Sequence, residues 1–161
     1  MSSIGIIDLQ WFPSSNNQTR YIIKEIAISS LDRLCEEHYV FEPPTKSLFS
    51  SNVDVKTANW LTKFYFELPW LDGEIQYFRL FELLNFINGS FHRLYVKGVQ
   101  KKLFLESYIT IPVLNIEDLG CPRLNILQSK KSCLRKHQNC AVTNVDKIMS
   151  WLFLFKINEI L

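Results

Sequence analysis

Apolar positions along the chain recur with two periods, and the switch between them marks out the elements. Residues 4–12, IGIIDLQWF, form a β-branched, apolar run that ends at the polar cluster Pro13-Ser14-Ser15-Asn16-Asn17, the pattern of a strand followed by a turn. RYIIKEIAI (20–28) carries apolar residues on both faces, as a central strand does. EHYVFE (37–42) alternates and stops at Pro43-Pro44. Connections this short suit an antiparallel meander. A polar stretch, 45–58, leads into a predicted helix around NWLTKFYF. GEIQYFRLFELLNFI (73–87) then sets Ile75, Phe78, Leu80, Phe81, Leu84 and Ile87 on a broad helical stripe. FHRLYVKG (91–98) reads as a strand, QKKLFLESY (100–108) as a short helix and IPVLNIE (111–117) as a further strand. Asp118-Leu119-Gly120-Cys121-Pro122 breaks the chain. The last predicted helix runs from about Asn139 to the end, its stripe on Val145, Ile148, Met149, Leu152 and Phe155. The order is β-β-β-α-β-α-β-α, and residues 1–161 read as a single α/β domain with a mixed five-stranded sheet and flanking helices.

Composition narrows the class. Hydrophobic residues make up 47% of the 161 and aromatics 14%, which excludes a disordered tail and supports a heavily buried sheet. Eighteen basic and sixteen acidic side chains leave a net charge of +2, so the chain as a whole does not advertise nucleic acid, although a local patch can. The start, MSSIGIIDLQ, shows no secretory signal, and the apolar run WLFLF (151–155) is too short to span a bilayer. The expected setting is intracellular, cytoplasmic or nuclear, with no membrane partner. In a reducing compartment the four cysteines (Cys35, Cys121, Cys133, Cys140) read better as thiols or metal ligands than as disulfides.

The order of elements resembles the ribonuclease H-like fold, and three motifs resemble its DEDD exonuclease branch: IIDLQ the first-strand Asp-x-Glu, KEIAI the second-strand segment, and YVFEPP the end of the third strand. That resemblance implies carboxylates on the first strand, the fourth strand and the last helix, bridging two metal ions. Asp8 matches the first acid. Gln10 replaces the second, Lys97, Lys101 and Lys102 stand around the fourth strand where an acid is expected, and Asn144 stands near the last. An amide coordinates Mg²⁺ poorly and lysines oppose a dication, so standard two-metal catalysis is not expected. Asp8 is the residual catalytic candidate; its alternative is a hydrogen-bonded strand residue.

Glu25, between Ile23 and Ala27 on one face of a strand that reads as buried on both, needs a positive partner, because a buried unpaired carboxylate costs several kcal/mol. Cys133-x3-His137-x2-Cys140 offers three zinc ligands, with Cys121 a further sulfur upstream. A dication there neutralises Glu25 and pins the final helix to the second strand. This combination resembles the Maelstrom family, a ribonuclease H-like relative of the DEDD exonucleases that lacks the catalytic acids and carries a Glu-Cys-His-Cys zinc set. On that resemblance Glu25, His137 and Cys140 are ligands, either Cys133 or Cys121 is the fourth, and His38 matches another family histidine. A family histidine near the first helix is missing from KFYFELPW.

Two basic clusters remain: Lys97, Lys101 and Lys102; and Lys130, Lys131, Arg135 and Lys136. Both are candidate phosphate contacts, and Trp60, Phe64, Tyr65 and Trp70 candidate stacking faces for unpaired bases, against the reading of solvated lysines and core aromatics. In the resembled fold the end of the fourth strand and the start of the last helix, where the two clusters stand, border the old active-site cleft. The resemblance implies a degenerate domain binding single-stranded RNA, with a structural zinc, in small-RNA-guided transposon silencing, and leaves room for a weak ribonuclease activity. Two alternatives stand beside it. One is a protein-interaction module with a partner site near WLFLF. The other is a metal-dependent nuclease drawing on Asp8, Glu25, Asp118 or Asp146.

Overall fold

The computed structural model describes residues 3–13, 21–44, 52–65 and 67–161. The predicted turn cluster at 14–17, the opening residue 20 of the second predicted strand, the polar stretch over 45–51 and residue 66 of the first predicted helix lie outside them.

Five strands form one mixed sheet: β1 (Ser3–Pro13), β2 (Tyr21–Ser30), β3 (Glu36–Val40), β4 (Phe91–Val96) and β5 (Val113–Asn115), in the spatial order β3-β2-β1-β4-β5. β1 pairs antiparallel with β2 and β2 with β3, while β1–β4 and β4–β5 are parallel, so β2 alone runs against the rest. The helices are α1 (Asn52–Trp60), α2 (Leu80–Ser90), α3 (Val99–Glu106), α4 (Ala141–Phe155) and the short α5 (Ile157–Ile160). This is the mixed α/β architecture with flanking helices that the pattern predicts.

Both faces of the sheet are covered, which is why β1 and β2 read as continuous apolar runs. Ile7, Leu9, Ile26 and Ile28 pack against Leu80, Leu84 and Ile87 of α2 and Phe104 and Leu105 of α3. Ile4, Ile6 and Ala27 pack against Val145, Ile148, Met149 and Leu152 of α4. Each fully buried Ile or Leu contributes about 1.5–3 kcal/mol.

Several boundaries differ from the pattern. The predicted helix over 73–87 starts late. Gly73 lies against the backbone of Phe41 and Glu42, Ile75 makes a parallel bridge to Phe41, and one 3₁₀ turn (Tyr77–Arg79) precedes α2. The apolar stripe accordingly narrows to Leu80, Leu84 and Ile87, leaving Phe78 and Phe81 exposed. The last predicted strand shortens to three residues because the Asn115 side chain accepts from Glu117 N at 3.1 Å and caps a 3₁₀ turn over Ile116–Leu119. The final helix begins at Ala141 rather than Asn139, whose φ of 47° is left-handed, and Phe155 at its far end faces solvent.

A β-bulge corrects one further expectation. Gln10 pairs with Glu25 but Trp11 pairs with Ile23, so Lys24 is the extra residue of β2. Ile23 therefore turns to the α2/α3 side with Ile26 and Ile28, and does not share a face with Glu25 and Ala27. Lys24 is buried, and its Nζ donates to Phe41 O and Trp70 O at 3.0 Å each and to Asp72 O.

Candidate metal centre and basic cleft

Glu25 projects from β2 toward the start of α4. The approach to that helix is a loop in which Lys136 N donates to Cys133 O at 3.1 Å and both Lys136 (φ 51°) and Asn139 (φ 47°) are left-handed. These two reversals fold Cys133, His137 and Cys140 onto one side. Their ligand atoms and a Glu25 oxygen lie within 4.8 Å of one another, and all four residues are buried. Tetrahedral zinc, with bonds of about 2.0–2.3 Å, sets its ligand atoms about 3.3–3.8 Å apart, so the group needs only small adjustments to close on an ion.

Hydrogen bonds prepare the group. Glu25 Oε1 accepts from Ala141 N at 2.8 Å, placing the carboxylate on the N-terminus of α4, where unpaired N–H groups favour negative charge. His137 Nδ1 lies 2.9 Å from Gln138 O and can only donate to it, which leaves the Nε2 lone pair facing Glu25 Oε2 at 2.8 Å. Two acceptors at that distance require a proton between them, and a bound metal ion would take its place only with the two atoms moved further apart. His38 Nε2, from β3, lies 2.7 Å from the same oxygen, and Cys140 Sγ 3.9 Å from it.

Ionisation follows from these contacts. Burial opposes the charged form of Glu25, yet bonds from His137 and His38, the His137 charge and Ala141 N hold it below the usual carboxylate range. Burial likewise opposes the His137 imidazolium, but Cys140 and Glu25 outweigh it and push the pKa up to about 11. For Cys140, burial works against the thiolate and the bond from His137 outweighs it, bringing the thiol down to about 7. Cys133 goes the other way: burial, then the neighbouring Cys140 charge, push its thiol up. Two sulfurs, one nitrogen and one oxygen brought together in this way are compatible with a metal site.

Cys121 does not join this group. It lies in the apolar cluster with Ile4, Ile6 and Ile116, its Sγ toward Pro122 O, and burial raises its pKa. The loop path therefore chooses Cys133 over Cys121, a choice that spacing leaves open.

The second site opens where β1 outruns β4. Their pairing ends at Ile7–Val96, so β1 from Asp8 onward borders a cleft on that side. Asp8 is fully buried behind it, accepting from Lys101 Nζ at 2.7 Å, from Asn144 Nδ2 at 2.9 Å and from Gln10 Nε2 at 3.4 Å. The residues that depart from the nuclease pattern at three separate points of the sequence thus meet round one carboxylate, with a lysine ammonium as its counter-ion. The cleft in front of them has a volume of about 670 Å³ and is lined by Lys97, Lys101, Arg123 and Tyr65, among others. Lys97 also reaches Glu117 at 3.4 Å and Cys121 O at 3.3 Å, and Lys102 pairs with Glu106 on the outer side of α3.

The other predicted basic cluster does not form a patch. Lys131 bonds both oxygens of Glu36 at 2.7 Å, and Arg135 bonds Asp72 at 3.0 Å and Glu74 at 2.7 Å, while Lys130 and Lys136 are exposed. Of the candidate stacking rings, Trp70 is core, whereas Trp60, Phe64 and Tyr65 are exposed, with Trp60 near-parallel to Tyr65 at 6.4 Å. The acids of the nuclease alternative do not converge: Asp146 pairs with Arg33 at 3.0 Å, Asp118 sits in the turn after β5, and Glu25 belongs to the thiol–imidazole group.

What composition and motif reading miss is mostly amide and backbone chemistry: the Lys24 cage of carbonyls, the Asn115 cap, and Asn139, whose carbonyl accepts from Gln10 Nε2 at 2.7 Å. A lysine in the middle of an apolar strand is the one visible signal among these. No protein-family model matches the chain, and no curated protein matches it. Among the described residues no helix is long and apolar enough to cross a membrane.

Proposed function

We propose that the chain is a ribonuclease H-like, Maelstrom-like domain that binds single-stranded RNA in the basic cleft, with a structural zinc held by Glu25, Cys133, His137 and Cys140. The sheet order β3-β2-β1-β4-β5 with only β2 reversed supports the fold assignment. The observation that carries the functional reading is the Lys101–Asp8 ion pair at 2.7 Å, a protein cation on the one carboxylate that matches the resembled nuclease pattern. In such a cleft Lys101 is taken up by Asp8, Arg123 and Lys97 remain to meet phosphates, and among the described residues no set of acids is assembled to activate water. Zinc, when bound, supplies cross-linking of α4 to β2 and no open coordination position. On this reading the biological context is small-RNA-guided silencing.

Fluorescence anisotropy with labelled single-stranded RNA tests the binding. Affinity should fall steeply with salt and be lost when Lys97 and Arg123 are both changed to Glu. Binding unaffected by both changes would refute the cleft. Metal content by mass spectrometry tests the zinc: about one zinc per chain is expected, and it should disappear in Cys140→Ser. Freshly purified, reduced protein without zinc removes that part of the proposal.

One observation favours a second reading, a protein-interaction module. Within WLFLF, Trp151 and Leu152 are core, but Leu154 and Phe155 are 75% and 68% exposed at the end of α4. Self-association abolished by Leu154→Lys with Phe155→Glu, in protein that binds no RNA, would support it instead.

A further inference from the structure

The cleft contains two amide groups whose orientation is forced and whose oxygens are left over. Gln10 and Asn144 are only 5% and 4% exposed. Gln10 Nε2 donates to Asn139 O at 2.7 Å and to Asp8 Oδ2 at 3.4 Å. Asn144 Nδ2 donates to Asp8 Oδ2 at 2.9 Å and to Asn139 O at 3.5 Å. A backbone carbonyl and a carboxylate accept only, so the nitrogens must face them and neither amide can be flipped. Gln10 Oε1 and Asn144 Oδ1 then have no donor among the described residues. Both side chains line the 670 Å³ cleft together with Lys97, Lys101, Arg123 and Glu117; Lys97 lies 3.4 Å from Glu117 and Lys101 pairs with Asp8, which leaves Arg123 as the cation without an acidic partner among the described residues.

A pair of nearly buried acceptors beside cationic groups calls for a ligand with hydroxyl or amino donors close to an anion. A deoxyribose phosphate has no donor at the sugar. A ribose phosphate carries a 2′-hydroxyl in every repeat, one sugar away from each phosphate charge. Asp8 behind the amides strengthens the case. It holds both nitrogens, so the two carbonyls cannot turn away to satisfy themselves elsewhere, and a ligand lacking the donor leaves them unpaired.

We propose that this cleft selects RNA over DNA through the 2′-hydroxyl, with Gln10 Oε1 and Asn144 Oδ1 as acceptors and Lys97 and Arg123 on the flanking phosphates. The inference rests on the RNA-binding reading given above and names what that site recognises. Base amines offer the same donor chemistry from a different part of the nucleotide, and the test separates the two.

The experiment is anisotropy on the full chain with oligo(U) and oligo(dU), which differ only at the 2′ position, and with oligo(C) and oligo(dC), which add an exocyclic amine. The expected result is oligo(U) binding tighter than oligo(dU) by about tenfold or more, with the same ratio for the C pair. Gln10→Met and Asn144→Leu should bring the ratio toward one. Lys97→Gln with Arg123→Gln should weaken both members of each pair by the same factor. Equal affinity for oligo(U) and oligo(dU) overturns the ribose inference and leaves nucleic-acid binding intact. Tighter binding of both C oligomers than of both U oligomers assigns the carbonyls to base amines and also overturns it. No binding of any of the four refutes the RNA reading itself. The wild-type comparison alone decides the matter should the variants fail to fold.

Discussion

Replacing Lys101 by Met tests whether the ammonium in the cleft is the structural counter-ion of Asp8. Asp8 is fully buried, and Lys101 keeps 22% of its side chain exposed while reaching Asp8 Oδ1 at 2.7 Å. At an effective dielectric near 20, unit charges about 4 Å apart attract by about 4 kcal/mol. The partly exposed lysine is screened by solvent, which brings the expected net value to about 2 kcal/mol. Methionine keeps the apolar stem, so packing changes little, and Asp8 retains the amide bonds from Asn144 and Gln10. For a chain of this size about 2 kcal/mol corresponds to a melting temperature lower by about 4–8 °C. The assay is urea unfolding of wild type, Lys101→Met, Asp8→Asn and the double variant at matched metal content, because bound metal shifts apparent stability. The cycle should return a coupling of about 2 kcal/mol, with Lys101→Met costlier than Asp8→Asn, since the lysine left behind can turn to water and the aspartate cannot. A coupling below about 0.5 kcal/mol would show that Lys101 is an ordinary surface lysine and would refute its role as the counter-ion of Asp8.

Three other outcomes follow from the geometry. Zinc binding should release about two protons above pH 7, from His137 and Cys133, and about three below it, as Cys140 joins them, while Glu25 contributes none; its affinity should therefore fall as pH drops, more steeply below pH 7, measured by competition with a chromophoric chelator in buffers of graded pH. A pH-independent affinity would contradict the ligand set. Lys24→Met should cost about 3 kcal/mol in denaturant unfolding, because three carbonyls lose their donor inside the protein; a loss under about 1 kcal/mol would mean that the bulge relaxes freely. Gly73→Ala should destabilise by at least about 2 kcal/mol, since a Cβ there would lie 2.3 Å from Glu42 N and 2.4 Å from Phe41 C, backbone atoms that cannot move aside; an unchanged melting temperature would count against the close approach.

The legible part of this fold is the part where one segment's own pattern decides its environment. β1, β4 and α4 are covered on the faces their apolar residues mark, so period and burial agree. Glu25 is legible for a related reason: a carboxylate within an apolar strand must find a cation, and the Cys–His segment is the natural supplier of a metal site. Features that depend on how two segments meet are not legible in the same way. The bulge at Lys24 exists only in the register of β1 against β2, and it moves Ile23 to the other face although its alternation with Glu25 places it beside that carboxylate. The extended stretch before α2 carries a helical stripe in sequence, and only the approach of Gly73 to Phe41 and Glu42 keeps it out of the helix. Cys121 and Cys133 are equal by composition, and two left-handed residues in the loop separate them.

The thiol–imidazole group and the basic cleft are built on the same two strands and the same short segment, which gives the molecule a physical link between them. Gln10 of β1 lies directly opposite Glu25 of β2, so each strand contributes one polar residue to neighbouring sites. From residue 137 to residue 144 the chain alternates between them: His137 and Cys140 turn to Glu25, while the Asn139 carbonyl receives Gln10 and Asn144 holds Asp8. Asn139 meets the cleft in a left-handed conformation, between two residues of the thiol–imidazole group. A divalent ion on Glu25, Cys133, His137 and Cys140 would fix both flanks of Asn139 and, with them, the direction of the two amide carbonyls in the cleft. An ion bound there would thus couple to the cleft over a few bonds, with no moving domain required.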